Sequence, residues 1–528
     1  MNRPLLVVLV VVALVYLPLA GAGYVWDDHA LIEANGVLDA PSWSGVFEHD
    51  LWWGTGGYRT AYYRPFLTVT LLVDRYLLGA HPWSAHLHSL AWHLLATGLL
   101  GVAVGRHASA RAAAAAAAVF GLHPIQSEAV AWIAARNDLL AGVGVLGAII
   151  AGGRRNLPLT ALTTCFAMLA KESGAMTPLL LMAWGYAWSK RVPGSVLVAS
   201  LTGLLLAVLL RNNATLGDPA PAFPFTSLDP LAPVWALVHV VSWFVWPWPL
   251  TSTSTVYGGP PGAVAGAAAL AALVLAGMAV RHQPHRARLL LAFALVSLAP
   301  SVGGLLLYQT IGERYLYLPM IGLAALAGPV LAGLSPRVTA PLAGAALLAI
   351  TVRLPDWRDD AALFTAAARR QPDAYSLSLA GKVLIDVQRS EEALADLEAS
   401  LRARPPYPFA CRFITTAARD VLSWPETVAR VDPWIAAGCR GIPGFDDALL
   451  MSAARAGDWA RVRVWTGNVA AIDHSGRFNV VLGALYARDG DLLSFAWLCQ
   501  DQEEGAGSFR TRVLPLLQQP LAPNPPPL

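Results

Sequence analysis

Arg3 precedes an apolar run, Leu5 to Gly21 (LLVVLVVVALVYLPLAG), which ends at the polar stretch Tyr24 to His29 (YVWDDH). A helix over such a run approaches the length needed to cross the roughly 30 Å hydrocarbon core of a bilayer, and it delivers two adjacent carboxylates, Asp27 and Asp28, to the membrane edge. Runs of this kind recur along the 528 residues. The chain is 56% hydrophobic and only 13% charged, with a mean hydropathy of +0.50. A soluble domain carries about 25% charged residues, so this chain has too little polar surface to dissolve itself in water. With apolar runs of about 20 residues recurring, the expected fold is all-α, a polytopic membrane bundle of about 11–13 spans with a soluble helical end. The net charge of +3 and the lack of a Lys/Arg block argue against nucleic acid.

The first run reads as a retained span rather than a cleaved signal peptide, being long for a signal core and followed by many spans. Basic clusters lie at Arg106/His107/Arg111, Arg154/Arg155, Lys190/Arg191 and Arg281 to Arg288. By the positive-inside rule these face the cytoplasm. The segments between them then face outward: Tyr24 to Pro82, His123 to Arg136, Lys171 to Gly174, Arg211 to Pro230 and Tyr308 to Arg314. Two stretches fit the alternation poorly. Phe66 to Leu78 contains Asp74 and Arg75 and reads as interfacial; Val234 to Leu250, with Trp235, Trp243, Trp246 and Trp248, has a belt composition. The last spans are expected near Tyr315–Leu334 and Val338–Leu354, leaving the C-terminal end outside with the first loop.

From Asp356 charged residues become frequent and a 3.6-residue period appears, as in Trp357 to Arg370 and Glu391 to Arg402. The expected division is a membrane domain over 1–355, an extracytoplasmic helical domain over 356–520 and a disordered tail over 521–528. Gly381, Ala393, Ser400 and Pro405 fall at the small-residue and proline positions of a tetratricopeptide repeat. Stacked helix pairs of that kind hold extended peptides; a helical cap without a ligand is the alternative. Cys165 lies in an apolar run and packs, while Cys411, Cys439 and Cys499 have no CxxC spacing and make a zinc site unlikely. Outside the cytoplasm one disulfide is allowed, with Cys411–Cys439 the expected pair.

Ionisable groups beside membrane helices are costly without a partner or a task. Asp27 and Asp28, flanked by Trp26 and His29, fit a general base or a divalent-metal ligand pair, or simply a solvated loop. In His123 to Leu140 (HPIQSEAVAWIAARNDLL), Glu128, Trp132 and Arg136 recur every four residues and are expected on one helix face. Lys171 and Glu172 read as an ion pair at a helix end. Glu313 and Arg314 open a span in Gly312 to Pro319 (GERYLYLP), and Arg64 lies in Tyr62 to Pro65 (YYRP). His86 and His93 are expected to pack or hydrogen-bond inside the bundle. A carboxylate with cations on one face is what a reaction expelling a phosphate needs. No Walker-type glycine loop, GxSxG elbow or HExxH occurs, which argues against an ATP-driven pump, a lipase-like enzyme and a zincin.

YVWDDH, YYRPF, HLHSLAWHLL, FGLHPIQSEAVAWIAARNDLLAG, AKES, GERYLYLP and DWRDDAALF, in this order, resemble the TMTC family, from about Tyr24 to Pro405. These are transmembrane-and-tetratricopeptide protein O-mannosyltransferases, with bacterial relatives, of the GT-C glycosyltransferase superfamily. The resemblance implies a GT-C bundle and transfer of a sugar, mannose being the first candidate, from a polyprenyl-phosphate donor to a protein Ser/Thr hydroxyl with inversion. By similarity Asp27 is the catalytic base and Asp28 supports it or holds a metal. Arg136, Arg314 and Lys171 would hold the donor phosphate, with His29, Arg64, His123, Glu128, Glu172 and Glu313 in support. Ser89 stands where relatives often have Asn. The family resemblance and the topology together place the protein in a bacterial inner membrane with loops and C-terminal domain on the periplasmic side. A cell-envelope glycan or lipid acceptor, and a non-catalytic anchor presenting a peptide-binding domain, are the competing readings; a transporter would put ionisable groups at mid-membrane rather than at helix ends.

Overall fold

The computed structural model describes residues 3–40, 42–56, 62–215, 243, 247, 250–252, 254–255, 284–308, 310–403, 407, 409–440, 442 and 445–467. Most of the Trp-rich stretch Val234 to Leu250, Arg281, Cys499 and the 521–528 tail lie outside the described residues. The chain divides into two compact units, Met1–Ala366 and Ala367–Leu528.

Among its described residues the regular structure of the first unit is helical apart from a two-residue antiparallel ladder pairing Ser254–Thr255 with Thr310–Ile311. Among the described residues six helices are long and apolar enough to cross a membrane: Arg3–Gly21, Pro82–Gly105, Ile133–Gly153, Gly194–Ala214, Glu313–Ala332 and Pro336–Trp357. Ala110–Leu122 and Leu157–Ala170 are shorter apolar helices, and a long helix, His285–Tyr308, packs against Tyr317–Ala332. The protein is a polytopic α-helical membrane protein. Six is fewer than the 11–13 expected, a range that includes segments outside the described residues. Pro65–Tyr76 has 12 residues, about 18 Å of rise, too short for an upright crossing.

Local sequence fixes the helix starts. Proline occupies one of the first two positions of Pro65–Tyr76, Pro82–Gly105, Leu157–Ala170 and Thr177–Ser189, where its missing N–H is no loss. Ser109 Oγ accepts from Ala112 N at 3.2 Å and Asn156 Oδ1 from Leu159 N at 3.1 Å, capping the next helices. In lipid, small residues rather than apolar bulk let helices approach. A Cβ on Gly144 would meet Ala167 Cβ at 2.7 Å, and one on Gly328 would meet Ala116 Cβ at 2.6 Å.

Helices Pro82–Gly105 and Arg136–Gly153 run side by side from a common end. At their starts Arg136 Nη2 donates to Ala85 O (2.8 Å), and at their finishes Arg106 Nη1 donates to Ile150 O (2.9 Å). The bundle therefore has one end carrying YVWDDH, Glu128 and Arg314, and another carrying the basic clusters.

The second unit contains helix pairs. Asp373 caps Ala374–Asp386, accepting from Ser376 N at 2.8 Å. The next helix, Ser390–Arg402, packs on it through Gly381, where a Cβ would touch Leu397, and through Ser400 Oγ, which donates to Ala374 O at 2.6 Å. Phe409–Val421, Trp424–Ala436, Phe445–Ala456 and Trp459–Gly467 follow around Ile414, Val431, Trp434, Phe445 and Leu450. Cys411 and Cys439 are joined by a disulfide. The unit begins later than the expected residue 356 because the junction is tied into the first unit: Gly23 N donates to Arg358 O (2.8 Å) and Trp26 N to Asp360 Oδ1 (2.7 Å).

Candidate active site

The first span hands the chain to Tyr24–His29, and the two aspartates there separate in role. Asp28 is fully buried. Its Oδ1 accepts from Ala134 N at 2.8 Å and its Oδ2 from Val25 N at 3.3 Å, which pins this loop to the turn before Arg136. Trp26 has φ +55, a left-handed conformation costing a non-glycine residue about 1–2 kcal/mol. It is held there by the Asp360 bond and by stacking on Trp132 at 4.8 Å. Asp27 is thereby left half-buried with no hydrogen bond or ion pair among the described residues. Its neighbouring charges are Arg314 and Arg64.

Burial pushes the Asp27 carboxyl up to about 6, against the pull of Arg314 and Arg64. Burial raises Asp28 to about 7, opposed by its two backbone N–H donors and reinforced by the Asp27 charge. His29 points its ring at Glu33 (2.5 Å) and Asp360 (3.3 Å). Burial disfavours the imidazolium, but the two acids outweigh it and raise its pKa.

Two ion-paired cations, Arg64 and Arg314, act on Asp27, and a third pair, Lys171–Asp138, is coupled to them. Arg64 donates to Glu172 through Nε (3.0 Å) and Nη2 (2.7 Å). Lys171 Nζ lies 2.6 Å from both oxygens of Asp138. Arg314 grips Glu128 through Nη1 and through its backbone N (3.1 Å), its guanidinium 4.8 Å over Trp132 and 4.8 Å over Tyr315. Gly312 lies close beside them: a Cβ there would fall 2.5 Å from Arg314 Nη1, so a side chain would displace the guanidinium. Burial lowers the Lys171 pKa, Asp138 opposes this, and Arg64 and Arg314 lower it further. Burial would raise Glu172, yet the Arg64 charge and hydrogen bonds hold it below the usual carboxylate range. The cations thus act on one another as a cluster. Arg64 Nη1 and Arg314 Nε make no hydrogen bond among the described residues, so each keeps a donor for an added anion.

Several sequence expectations are corrected. Glu128 and Arg136 do not share a helix face: the helix Ser127–Ala131 ends at Trp132, which is extended (φ −83, ψ 116), and a new helix starts at Arg136. Asp28 takes the Ala134 N–H and stabilises the break. Lys171 and Glu172 do not pair with each other. Lys171 is extended (φ −157, ψ 145), so successive side chains diverge. Arg136 is fully buried and committed to Asp74 Oδ2 (2.6 Å), Ser89 Oγ (3.0 Å) and Ala85 O; it braces the bundle and is not open to a phosphate. Glu313 is likewise buried and binds Arg353 Nη2 at 2.9 Å. His123 Nδ1 accepts from Ile125 N at 3.3 Å, a turn cap. His86 bonds Gly23 O (3.1 Å) and His93 bonds Tyr317 and Gly121 O, inside the bundle as expected.

Asp138 and Asp74 were not singled out as site acids by sequence; the run Arg136-Asn137-Asp138 opening an apolar helix was the available signal. Among the described residues no three His, Cys, Asp or Glu side chains converge as a metal site. With both Asp28 oxygens taken by backbone donors, only Asp27 of the pair has a free carboxylate for a metal.

No family model matches the chain. Protein O-mannosyl-transferase Tmtc2 of Drosophila melanogaster is 38% identical over 138 residues, 24% of this chain and 14% of that protein. Tmtc1 of the same species is 32% identical over 180 residues, 31% of this chain and 20% of that protein. Human TMTC4 is 32% identical over 135 residues, 22% and 18%. The matched stretches thus span a fifth or less of these relatives. Among solved structures, ArnT from Cupriavidus metallidurans, bound to undecaprenyl phosphate and in the apo state, aligns at TM-score 0.40 and 18% identity, over 82% of this chain and 80% of that one. In sequence, over about a quarter to a third of its length, this chain is similar to the TMTC protein O-mannosyl-transferases.

Proposed function

We propose that this chain is a membrane glycosyltransferase that moves a sugar from a polyprenyl-phosphate carrier to a hydroxyl of a protein acceptor on the non-cytoplasmic face. The observation that carries this reading is Asp27: a half-buried carboxylate at the end of a span, left unbonded beside the ion-paired cations Arg64 and Arg314, with its pKa raised to about 6. A general base works best when its pKa lies near the operating pH. The acceptor oxygen attacks the anomeric carbon as Asp27 takes its proton. The bond from that carbon to the carrier phosphate breaks, and the phosphate leaves with the bonding pair. Arg64 and Arg314 hold the developing charge with their spare donors, Lys171 contributing field. One displacement inverts the anomeric centre, and a phosphate needs no general acid to leave. Arg136 braces the site instead of binding donor.

A protein acceptor and mannose are supported by the likeness to protein O-mannosyl-transferases, and the helix pairs beyond Ala367 by the general use of such stacks for peptides. Orientation is supported by the basic clusters gathered at the opposite end and by the Cys411–Cys439 disulfide, a bond favoured outside the cytoplasm. In a bacterium this is the periplasmic side of the inner membrane.

The test is transfer from polyprenyl-phosphate mannose to Ser/Thr peptides in proteoliposomes, with the product's anomeric configuration assigned. Asp27→Asn is expected to lower transfer by about 100-fold or more without loss of the folded protein. Full activity in Asp27→Asn removes the base assignment, and a product of retained configuration removes the single displacement.

A further inference from the structure

The end of the bundle away from Asp27 holds a cavity of about 470 Å³, within the range of small-ligand sites. Helices Pro82–Gly105, Arg136–Gly153, Thr177–Ser189 and Gly194–Ala214 frame it. Its floor is apolar and buried, formed by Ile149, Leu181, Trp184 and Val196. Its exposed rim carries Arg106, His107, Arg154, Arg155 and Arg191. Among the described residues no carboxylate lines it.

None is near in sequence either. No Asp or Glu occurs between Asp74 and Glu128, between Asp138 and Glu172, between Glu172 and Asp218, or between Asp229 and Glu313. Arg106 uses one N–H on Ile150 O; Arg154, Arg155 and Arg191 make no side-chain hydrogen bond or ion pair among the described residues. Burial and the Arg154 charge both lower the Arg106 pKa, and burial, Arg106 and Arg286 lower that of His107. Cations at helix C-termini complement the helix dipole, and the positive-inside rule accounts for their number. Neither accounts for an open volume with an apolar floor beneath guanidinium groups that have no counter-charge among the described residues.

We propose that this cavity binds the phosphate headgroup of an anionic phospholipid, the arginine rim taking the phosphate and the apolar floor the first part of an acyl chain. Basic pockets between membrane helices bind such headgroups. The floor favours lipid over free phosphate, which would leave it uncovered. Assigning the lipid to the cytoplasmic leaflet rests on the orientation proposed above; the site itself does not.

Native mass spectrometry of the full chain in detergent, titrated with phosphatidylglycerol or phosphatidylcholine, tests this. Phosphatidylglycerol should bind at least about ten-fold more tightly, and the combined Arg106→Gln, Arg154→Gln, Arg191→Gln variant should lose that preference while still binding phosphatidylcholine as the parent does. A measurement on the unaltered protein stands beside it. Raising salt from about 0.1 M to 1 M shortens the screening length from about 10 Å to 3 Å and should erode the preference. Equal binding of the two lipids, a preference indifferent to salt, or full displacement of phosphatidylglycerol by millimolar inorganic phosphate overturns the proposal.

Discussion

Asp27 and Asp28 are chemically identical neighbours separated by what surrounds them. Asp28 accepts two backbone N–H groups and anchors the loop, while Asp27 keeps its lone pairs. If Asp27 is the base it must be ionised, so transfer should rise with pH through a midpoint near 6, measured as a rate profile; a flat residual rate is expected for Asp27→Asn. The stability sign is opposite. A carboxyl whose folded pKa is raised adds stability below its unfolded value near 3.8 and loses it as pH rises through about 6. Asp27→Asn should therefore raise the melting temperature at pH 7.5 relative to its effect at pH 4. Asp28→Ala strands the Ala134 and Val25 donors and should cost about 1–3 kcal/mol, read by thermal unfolding in detergent. The YVWDDH stretch at a span end was enough to find this pair. Which member stays free depends on Ala134, more than 100 residues away in sequence, and no local pattern carries that.

At the scale of elements, the site is held where helices begin and end. Asp138 lies in the first turn of Arg136–Gly153 and Lys171 follows Leu157–Ala170, so this ion pair depends on how closely those two helices approach. Gly144→Val would drive a side chain into Ala167, and overpacking of this kind costs about 1–3 kcal/mol. The expected result is a lower melting temperature and weaker transfer together, although Gly144 touches neither member of the pair. The apolar runs were legible because they are local. The interruption at Trp132 was not, because a four-residue spacing of Glu128, Trp132 and Arg136 is as compatible with an unbroken helix as with two short ones. The choice falls to tertiary contacts, namely the Asp28 anchor, the Trp26 stack and the guanidinium of Arg314.

Among the described residues of the bundle, charge is sorted between the two ends: acids, most of them paired, at one end, and arginines without a carboxylate partner at the other. The basic clusters in the sequence foretold this sorting because few other charges compete with them, whereas the number of crossings depends partly on segments outside the described residues. Membrane-impermeant maleimide applied to intact spheroplasts should label Ser44→Cys and spare Arg155→Cys, in a background with Cys165 and Cys499 replaced by Ser; the reverse pattern overturns the proposed orientation. Reducing Cys411–Cys439, which spans 28 residues, should destabilise the helical unit by about 3 kcal/mol, visible as a lower unfolding temperature under dithiothreitol. The acid-free end also has an electrical consequence. In an energised membrane, negative inside, each elementary charge carried across 100 mV involves about 2.3 kcal/mol of work. Moving the four rim arginines to the far side would then require about 9 kcal/mol, so the membrane potential itself acts as an orienting field on this bundle during insertion.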